Sequence, residues 1–467
     1  MKYKFTEDIV IGLEIHAQLN THTKLFCGCP AHGDETPNTR TCPTCLGMPG
    51  SKPALNKTAL RFAIKLALAL GCEISSKLIF SRKSYFYPDM AKNYQISQYE
   101  LPLGINGKLI LNNGKEIGIT RVHMEEDPAS LVHPAGMGAS SYVLVDYNRS
   151  GNPLCEIVTE PAMNSPEEAR EFMKQLISVL KYLKIFDTDT CIIKADANVS
   201  IKQKEYKRVE IKNITGFKEI ERALKYEVER QKNEEVANET RAWDADKGAT
   251  FTLRKKETEE EYGYIIEPDL AVEEISKEML EEAKKEMPEL AHEKAMRFVE
   301  EHKIRKEDAL IIAQEKELAE LFEKAVKEIN PALAVVWIRH ELNRVLNYNK
   351  KTLEDVKLDE KEMLKLLRLV EKKIITDRVA QKILEQLAEK KIDVEKYVEE
   401  NNLKAVSDAG AIEKYCKEAV EECKTAVEDY KKGNEKAFNS IVGAVMKKSR
   451  GAASPAEVQK ILKEMMK

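Results

Sequence analysis

IVIGLEIHAQL, residues 9–19, is the stretch on which the fold class turns. Its side chains alternate as they do on a half-buried strand, with Leu13, Ile15, Ala17 and Leu19 on one face and Glu14, His16 and Gln18 on the other. Further strands are expected at KLILNN (108–113), IGITRVHM (117–124), YVLVDYN (142–148) and CIIKADANVSIK (191–202). Helical patterns at 55–71 and 166–184 separate them, the second opening with Ser165, Pro166 and two glutamates, a capped start. The first part of the chain therefore reads as a sheet-centred α+β domain.

After EPDLAV (267–272) the pattern changes to Lys, Glu, Leu and Ala at spacings of three and four, which predicts helices to the end. NYNKKTLEDVKLD (347–359) reads as a loop, and breaks are expected near 401–410 and at the glycines 433, 443 and 451. The 467 residues carry 33% charged and 43% hydrophobic side chains with a net charge of −4, so the chain is neither a disordered tail nor a uniformly basic nucleic-acid coat. The N-terminal segment lacks a signal-peptide core, no run is apolar enough to span a membrane, and nine cysteines fit a reducing compartment. A cytoplasmic protein without a membrane partner is the expectation.

Cys27, Cys29, Cys42 and Cys45 form C-x-C-x12-C-x-x-C on a Gly- and Pro-rich loop. Two closely spaced thiol pairs on tight turns suit a structural, four-coordinate zinc. Unligated cysteines are the alternative, although exposed thiols clustered in this way are chemically vulnerable. The polar strand faces carry a second pattern. Arg121, His123 and Glu125 share a face, Glu126 and Asp127 follow, Asp146 shares a side with Asn148, and Glu156 shares one with Glu160. Carboxylates so grouped suit Mg²⁺ and phosphate oxygens, with basic residues balancing charge; the other reading is a solvated outer sheet face.

Lys83, Tyr85, Tyr87, Asp89, Lys92 and Tyr94 form a polar-aromatic group suited either to surface packing or to a phosphate or base. No Walker-type loop, dinucleotide fingerprint, nucleophile elbow or H-E-x-x-H motif occurs. Near the end, residues 431–450 carry Lys431, Lys432, Lys436, Lys447, Lys448 and Arg450 against the single acid Glu435. That segment suits a phosphate backbone, with a solvated helix face as the alternative.

The segments VIGLEIHAQL, TKLFCGC, PNTRTCPTCLGMPG, RKSYFYPDM, ITRVHMEEDPASL, DYNRSGNPLCEIVTEP and VGAVMKKSRGAASP together resemble the B subunit of the tRNA-dependent amidotransferases, and the matching stretches span residues 9 to 455. The resemblance implies an α+β, mixed-sheet cradle domain (1–291), an all-α helical domain (292–392) and a small helical tail of the YqeY type (393–467). It implies a heterotrimer with an amidase (the A subunit) and a small C subunit. The B subunit would use ATP to phosphorylate the side-chain carboxylate of Asp-tRNA(Asn) or Glu-tRNA(Gln), and ammonia channelled from the partner would complete the amide. Glu14, Glu125 and Glu156, with His16 and Glu126 beside them, would hold Mg²⁺ and phosphates; Lys83 and Lys92 would line the pocket and channel mouth; the basic tail would touch tRNA. Tyr85, Tyr87, Arg121, His123, Asp146 and Asn148 complete the expected nucleotide contacts. A non-catalytic tRNA adaptor is the rival of a different class. The E subunit of the related two-subunit enzyme would need an inserted domain for which the chain has no room, and a free-standing amidase would need a Ser-Ser-Lys signature that is not visible.

Overall fold

The computed structural model describes residues 5–135, 140–255, 263–351, 353–356, 358–405, 409–431, 434–449 and 451–466. The chain divides into two compact units at Leu290/Ala291. The first is α+β and built on a nine-stranded mixed sheet. In chain order its strands are β1 (Ile9–Gln18), β2 (Glu73–Ile74), β3 (Gly104–Ile110), β4 (Glu116–Glu126), β5 (Pro153–Thr159), β6 (Ile193–Ile201), β7 (Val209–Thr215), β8 (Glu239–Asp244) and β9 (Ala249–Lys255). In space they run β9-β8-β7-β6-β1-β5-β4-β3-β2, with β7–β8 parallel and the other neighbours antiparallel.

β1 sits at the centre, and its apolar row sets the core. Ile11, Leu13, Ile15 and Ala17 are at most 1% exposed and join Met124, Cys155, Ile157, Ala195, Ala197 and Val199 from the neighbouring strands in one cluster. The helices α1 (Lys57–Ala69), α2 (Pro166–Tyr182) and α3 (Phe217–Asn233) bury their apolar stripes in the same cluster. α2 starts where the sequence signals it. The Ser165 hydroxyl accepts the Glu168 N–H at 3.1 Å, Pro166 occupies the first turn, and Glu167 and Glu168 complement the N-terminal dipole. With the helices on one face, the opposite row of the central strands is left to line a cavity.

A second, three-stranded sheet joins Ser81–Ser84, Tyr94–Ser97 and Gly263–Ile266. Residues 144–146 form only a short hairpin with 130–132, so the longer strand expected at 142–148 is not made. The strands β7, β8 and β9 and helix α3 are additions to the expected elements. They lie in a stretch where charged residues outnumber the apolar ones that would mark a period.

The second unit is helical throughout its described elements, with one apolar cluster drawn from residues 295–398 and another from 412–466. The stretch expected as a loop at 347–359 instead ends one helix at Asn349 and holds a short one at Leu353–Val356. Gly443 does not break the chain either: it lies inside Glu435–Lys448, whose buried Phe438, Ile441 and Val445 carry the helix past it. Between Pro331 and Asn349 the helix widens into a π-helical stretch over Val336–Leu342. Among the described residues no helix is long and apolar enough to cross a membrane.

Because Ile15 is fully buried at the middle of the central strand, Ile15→Ala is expected to lower the stability of the first unit by about 2–5 kcal/mol in urea unfolding. A loss below about 1 kcal/mol would contradict the placement of the core.

Candidate functional site

Glu14, on the polar row of β1, lines a cavity of about 590 Å³. Register brings its neighbours into line: His16 pairs with Glu156 of β5 and Lys194 of β6, Glu14 with Asp196, and Glu156 with His123 of β4. Cross-strand partners share a face, so acids and imidazoles from three adjacent strands converge. His16 Nε2 lies 3.3 Å from Glu125 Oε1, 3.4 Å from Glu156 Oε2 and 3.8 Å from Glu14 Oε1. His123 Nε2 lies 3.4 Å from Glu156 Oε2 and 3.8 Å from Glu125 Oε2. Arg121 reaches Glu156 at 3.4 Å, and the Ser97 hydroxyl donates to Glu125 at 3.3 Å.

Glu125 and Glu156 are almost fully buried, and the charges around them respond accordingly. The Glu156 charge and burial push Glu14 up to about 7. Burial opposes a charged His16, but a hydrogen bond to Glu156 and the charges of Glu125, Glu156 and Glu14 outweigh it and lift the imidazole to about 10. His123 is lifted to about 9 by Glu156 and Glu125 against the same opposing burial. Glu156 is held well below the usual carboxylate range: burial works against this, and the two imidazoles prevail. A histidine raised from 6.5 to about 10 favours the folded state fully below pH 6.5 and loses that contribution as pH rises through 10.

Two overlapping donor groups follow, Glu14–His16–Glu156 and His123–Glu125–Glu156, each with its ligand atoms within 4.8 Å of one another. Carboxylate oxygens dominate both, a donor set that fits a hard divalent cation such as Mg²⁺. Lys83, from the small sheet, lines the same cavity with Arg121, His123, Tyr99 and Tyr264. Its ammonium is favoured by the charges of Glu125, Glu156 and Glu14 despite burial.

Other expected contacts go elsewhere. Glu126 follows Glu125 on a strand and so faces the opposite side, where it forms an ion pair with Lys92 and accepts the Ile96 N–H at 2.8 Å. Lys92 therefore lines a separate small pocket with Gly47, Met48 and Tyr94. Tyr85 and Tyr87 lie beyond the end of Ser81–Ser84, outside the cavity lining, and Tyr87 is exposed. Asp146 and Asn148 hold the cysteine loop: Asp146 accepts the Asn38 N–H at 2.9 Å, and Asn148 accepts the Arg40 N–H at 2.7 Å while donating to Thr36 O at 2.7 Å. Glu160 bonds Thr120 at 2.8 Å, after a bulge between Val158 and Thr159 has broken the alternation that would have aligned it with Glu156.

The cavity also takes in groups that strand-face reasoning did not reach: Asn198, Ser200, Arg208, Glu210, Lys212 and Thr240 from β6 to β8, together with Phe5 and Tyr206. The signal was present in KADANVS, whose Lys194, Asp196, Asn198 and Ser200 alternate with alanine and valine. Asp196 is bound by Lys212 at 2.7 Å, which extends the charged floor away from the histidines.

The four thiols at 27, 29, 42 and 45 come together with all sulfurs within 4.8 Å, and Cys42 and Cys45 are 3.9 Å apart. The edge of a tetrahedral zinc-thiolate centre is about 3.8 Å for Zn–S bonds of about 2.3 Å, so this donor set fits zinc. A hydrogen bond to Cys45, aided by burial, pushes the Cys27 thiol up, and the bond from Cys27 pulls Cys45 down to about 5. In the basic tail, Lys436 and Lys447 are exposed, whereas Lys448 is tied to Glu422 at 2.6 Å and Glu418 at 3.6 Å. Lys431 ends a helix, and Lys432 and Arg450 lie outside the described residues.

Residues 9–281 match the model of the GatB/GatE catalytic domain, and residues 320–466 match that of the GatB domain. The chain is 40% identical to the aspartyl/glutamyl-tRNA(Asn/Gln) amidotransferase B subunit of Carboxydothermus hydrogenoformans, over 98% of both chains. It is 42% identical to the protein of that name in Thermotoga neapolitana, again over 98% of both, and 42% identical to that of Methanococcus maripaludis over 97% of both. With both family models and near full-length identity in agreement with the resemblance of its motifs, this chain belongs to the family of aspartyl/glutamyl-tRNA(Asn/Gln) amidotransferase B subunits.

Proposed function

We propose that this chain activates the side-chain carboxylate of Asp-tRNA(Asn), Glu-tRNA(Gln) or both by ATP-dependent phosphorylation, and that ammonia from a partner amidase then displaces phosphate to form the amide. The observation that carries this reading is the clustering of Glu14, Glu125 and Glu156 around His16 and His123, with Glu14, His123 and Glu156 lining the cavity. A surface adaptor has no need of two nearly buried, mutually repelling carboxylates.

Glu14, Glu125 and Glu156 would hold Mg²⁺, which supplies neutralisation of phosphate charge when bound. The chain's own groups divide the remaining work. Lys83 and Arg121 present cations to phosphate oxygens from the cavity wall. His16 and His123 keep the carboxylates charged and aligned until substrate enters. The small sheet, which lends Lys83, Ser97 and Tyr264 to the cavity wall, would limit the access of water, as an acyl phosphate requires. Cys27, Cys29, Cys42 and Cys45 would hold a structural zinc whose loop is pinned by Asp146 and Asn148. Partners would be an amidase (the A subunit) and a small C subunit. The helical second unit, whose last apolar cluster is drawn from 412–466 and not from 393 onward because Val394 and Val398 pack in the preceding cluster, would offer tRNA the exposed Lys436 and Lys447.

In the reconstituted complex, Glu156→Gln is expected to reduce amide formation about 10²–10³-fold while leaving tRNA affinity within a factor of two. Unchanged amidation at saturating ATP would overturn the reading. Because Glu14 titrates near 7 and the histidines near 9 and 10, cation binding must release protons. Mg²⁺ affinity measured by calorimetry is therefore expected to rise as pH goes from 6 to 9, by up to about tenfold per unit. A pH-independent affinity would contradict the proposed ligands.

A further inference from the structure

Among the described residues Lys24 is the largest charged side chain sealed in the interior, with no measurable exposure. Burying an ammonium is costly unless it meets an acceptor of opposite charge. Among the described residues, no carboxylate forms an ion pair with its Nζ. What it meets is Cys45 Sγ at 3.6 Å and the Tyr147 carbonyl oxygen at 3.2 Å. The surrounding backbone fixes this position. The Lys24 N–H donates to Cys29 O at 2.9 Å, and the Leu25 N–H donates to Gly151 O at 2.8 Å. Gly151, at φ +85°, leaves room that a Cβ would fill at 3.4 Å from Cys45 Cβ and 3.5 Å from Lys24 Cδ. Cys45 is the buried member of the four and already accepts the Cys42 N–H at 3.2 Å.

We propose that Lys24 is the built-in counter-charge of the four-cysteine centre, a positioning residue whose ammonium donates to the Cys45 thiolate and so retains the metal. The inference rests on the reading that these cysteines hold zinc. Four thiolates around Zn²⁺ carry a formal charge of about −2, which is unfavourable beside a packed core. An ammonium in contact with one sulfur halves that excess. It also reduces the sulfur's availability to protons and oxidants, since the donated hydrogen occupies a lone pair. The second contact, to Tyr147 O, ties the centre to the segment that leads through Ser150 and Gly151 into the strand bearing Glu156. A lysine here for packing alone would be replaceable by methionine, which has nearly its length and needs no acceptor.

The test uses the full-length chain. Elemental analysis of the unmodified protein should give about one zinc per chain. Competition with a chromophoric chelator should then show zinc affinity 10–100-fold weaker in Lys24→Met, with a shifted thiolate-to-metal charge-transfer band after cobalt substitution. Zinc-free Lys24→Met should unfold no earlier than the zinc-free unmodified chain, because the ammonium has lost its thiolate partner there. Lys24→Gln, which keeps a donor for Tyr147 but no charge, should lose zinc like the methionine variant and decides the matter if that variant does not fold. Unmodified protein without zinc would overturn the zinc reading itself. Zinc-bearing protein whose variants hold the metal equally well, or are destabilised equally with and without it, would overturn this inference alone.

Discussion

Three carboxylates gathered around shared imidazoles, Glu156 within 4.8 Å of both Glu14 and Glu125, repel, and burial makes the repulsion worse. In this protein the site exists because two imidazoles are interleaved with them. His16 touches all three acids and His123 touches two. The result is a pre-charged cluster: Glu156 stays ionised, the histidines stay protonated into the alkaline range, and Glu14 titrates near neutrality. A divalent cation entering such a site would replace protons instead of adding charge to it. The nine-stranded sheet serves this arrangement, since the antiparallel register of three neighbouring strands is what places the residues opposite one another.

Much of this was legible in the sequence, because strand alternation is a strict rule wherever one face is buried. The apolar set of β1 could only face a core, so Glu14 and His16 had to face away from it. The same rule separated Glu125 from Glu126, and the expected joint role for the two acids failed because adjacent strand residues point to opposite sides. Glu160 was misaligned by a bulge, which leaves no clear mark in composition. Asp146 and Asn148 looked like site residues because they would share one side of an expected strand. Their amide and carboxylate groups instead satisfy backbone donors of the cysteine loop, a long-range pairing that no local pattern reveals.

Other differences have the same origin in tertiary context. The glycine at 443 reads as a break, yet flanking buried residues supply more than the roughly 1 kcal/mol that one glycine costs a helix. β7, β8 and α3 are charge-rich and lacked a clean period. Beside their share of the apolar cluster, α3 and β8 are joined by the ion pair of Arg230 with Glu239 at 3.0 Å, and β8 and β9 by Arg241 bonded to Thr250. Much of the family resemblance was carried by the central strand and the segments around the two polar centres, where chemistry restricts the choice of residue more tightly than packing does, and VGAVMKKSRGAASP carried it into the helical tail.

The central claim is that Glu14, Glu125 and Glu156 meet around one nucleotide-bound cation. Crystals grown with Mn²⁺ and a non-hydrolysable ATP analogue test it directly through anomalous scattering. The account predicts a manganese peak in direct contact with at least two of these three carboxylates and with phosphate oxygens of the analogue. A peak elsewhere, with the acids still engaged only by His16 and His123, would contradict it.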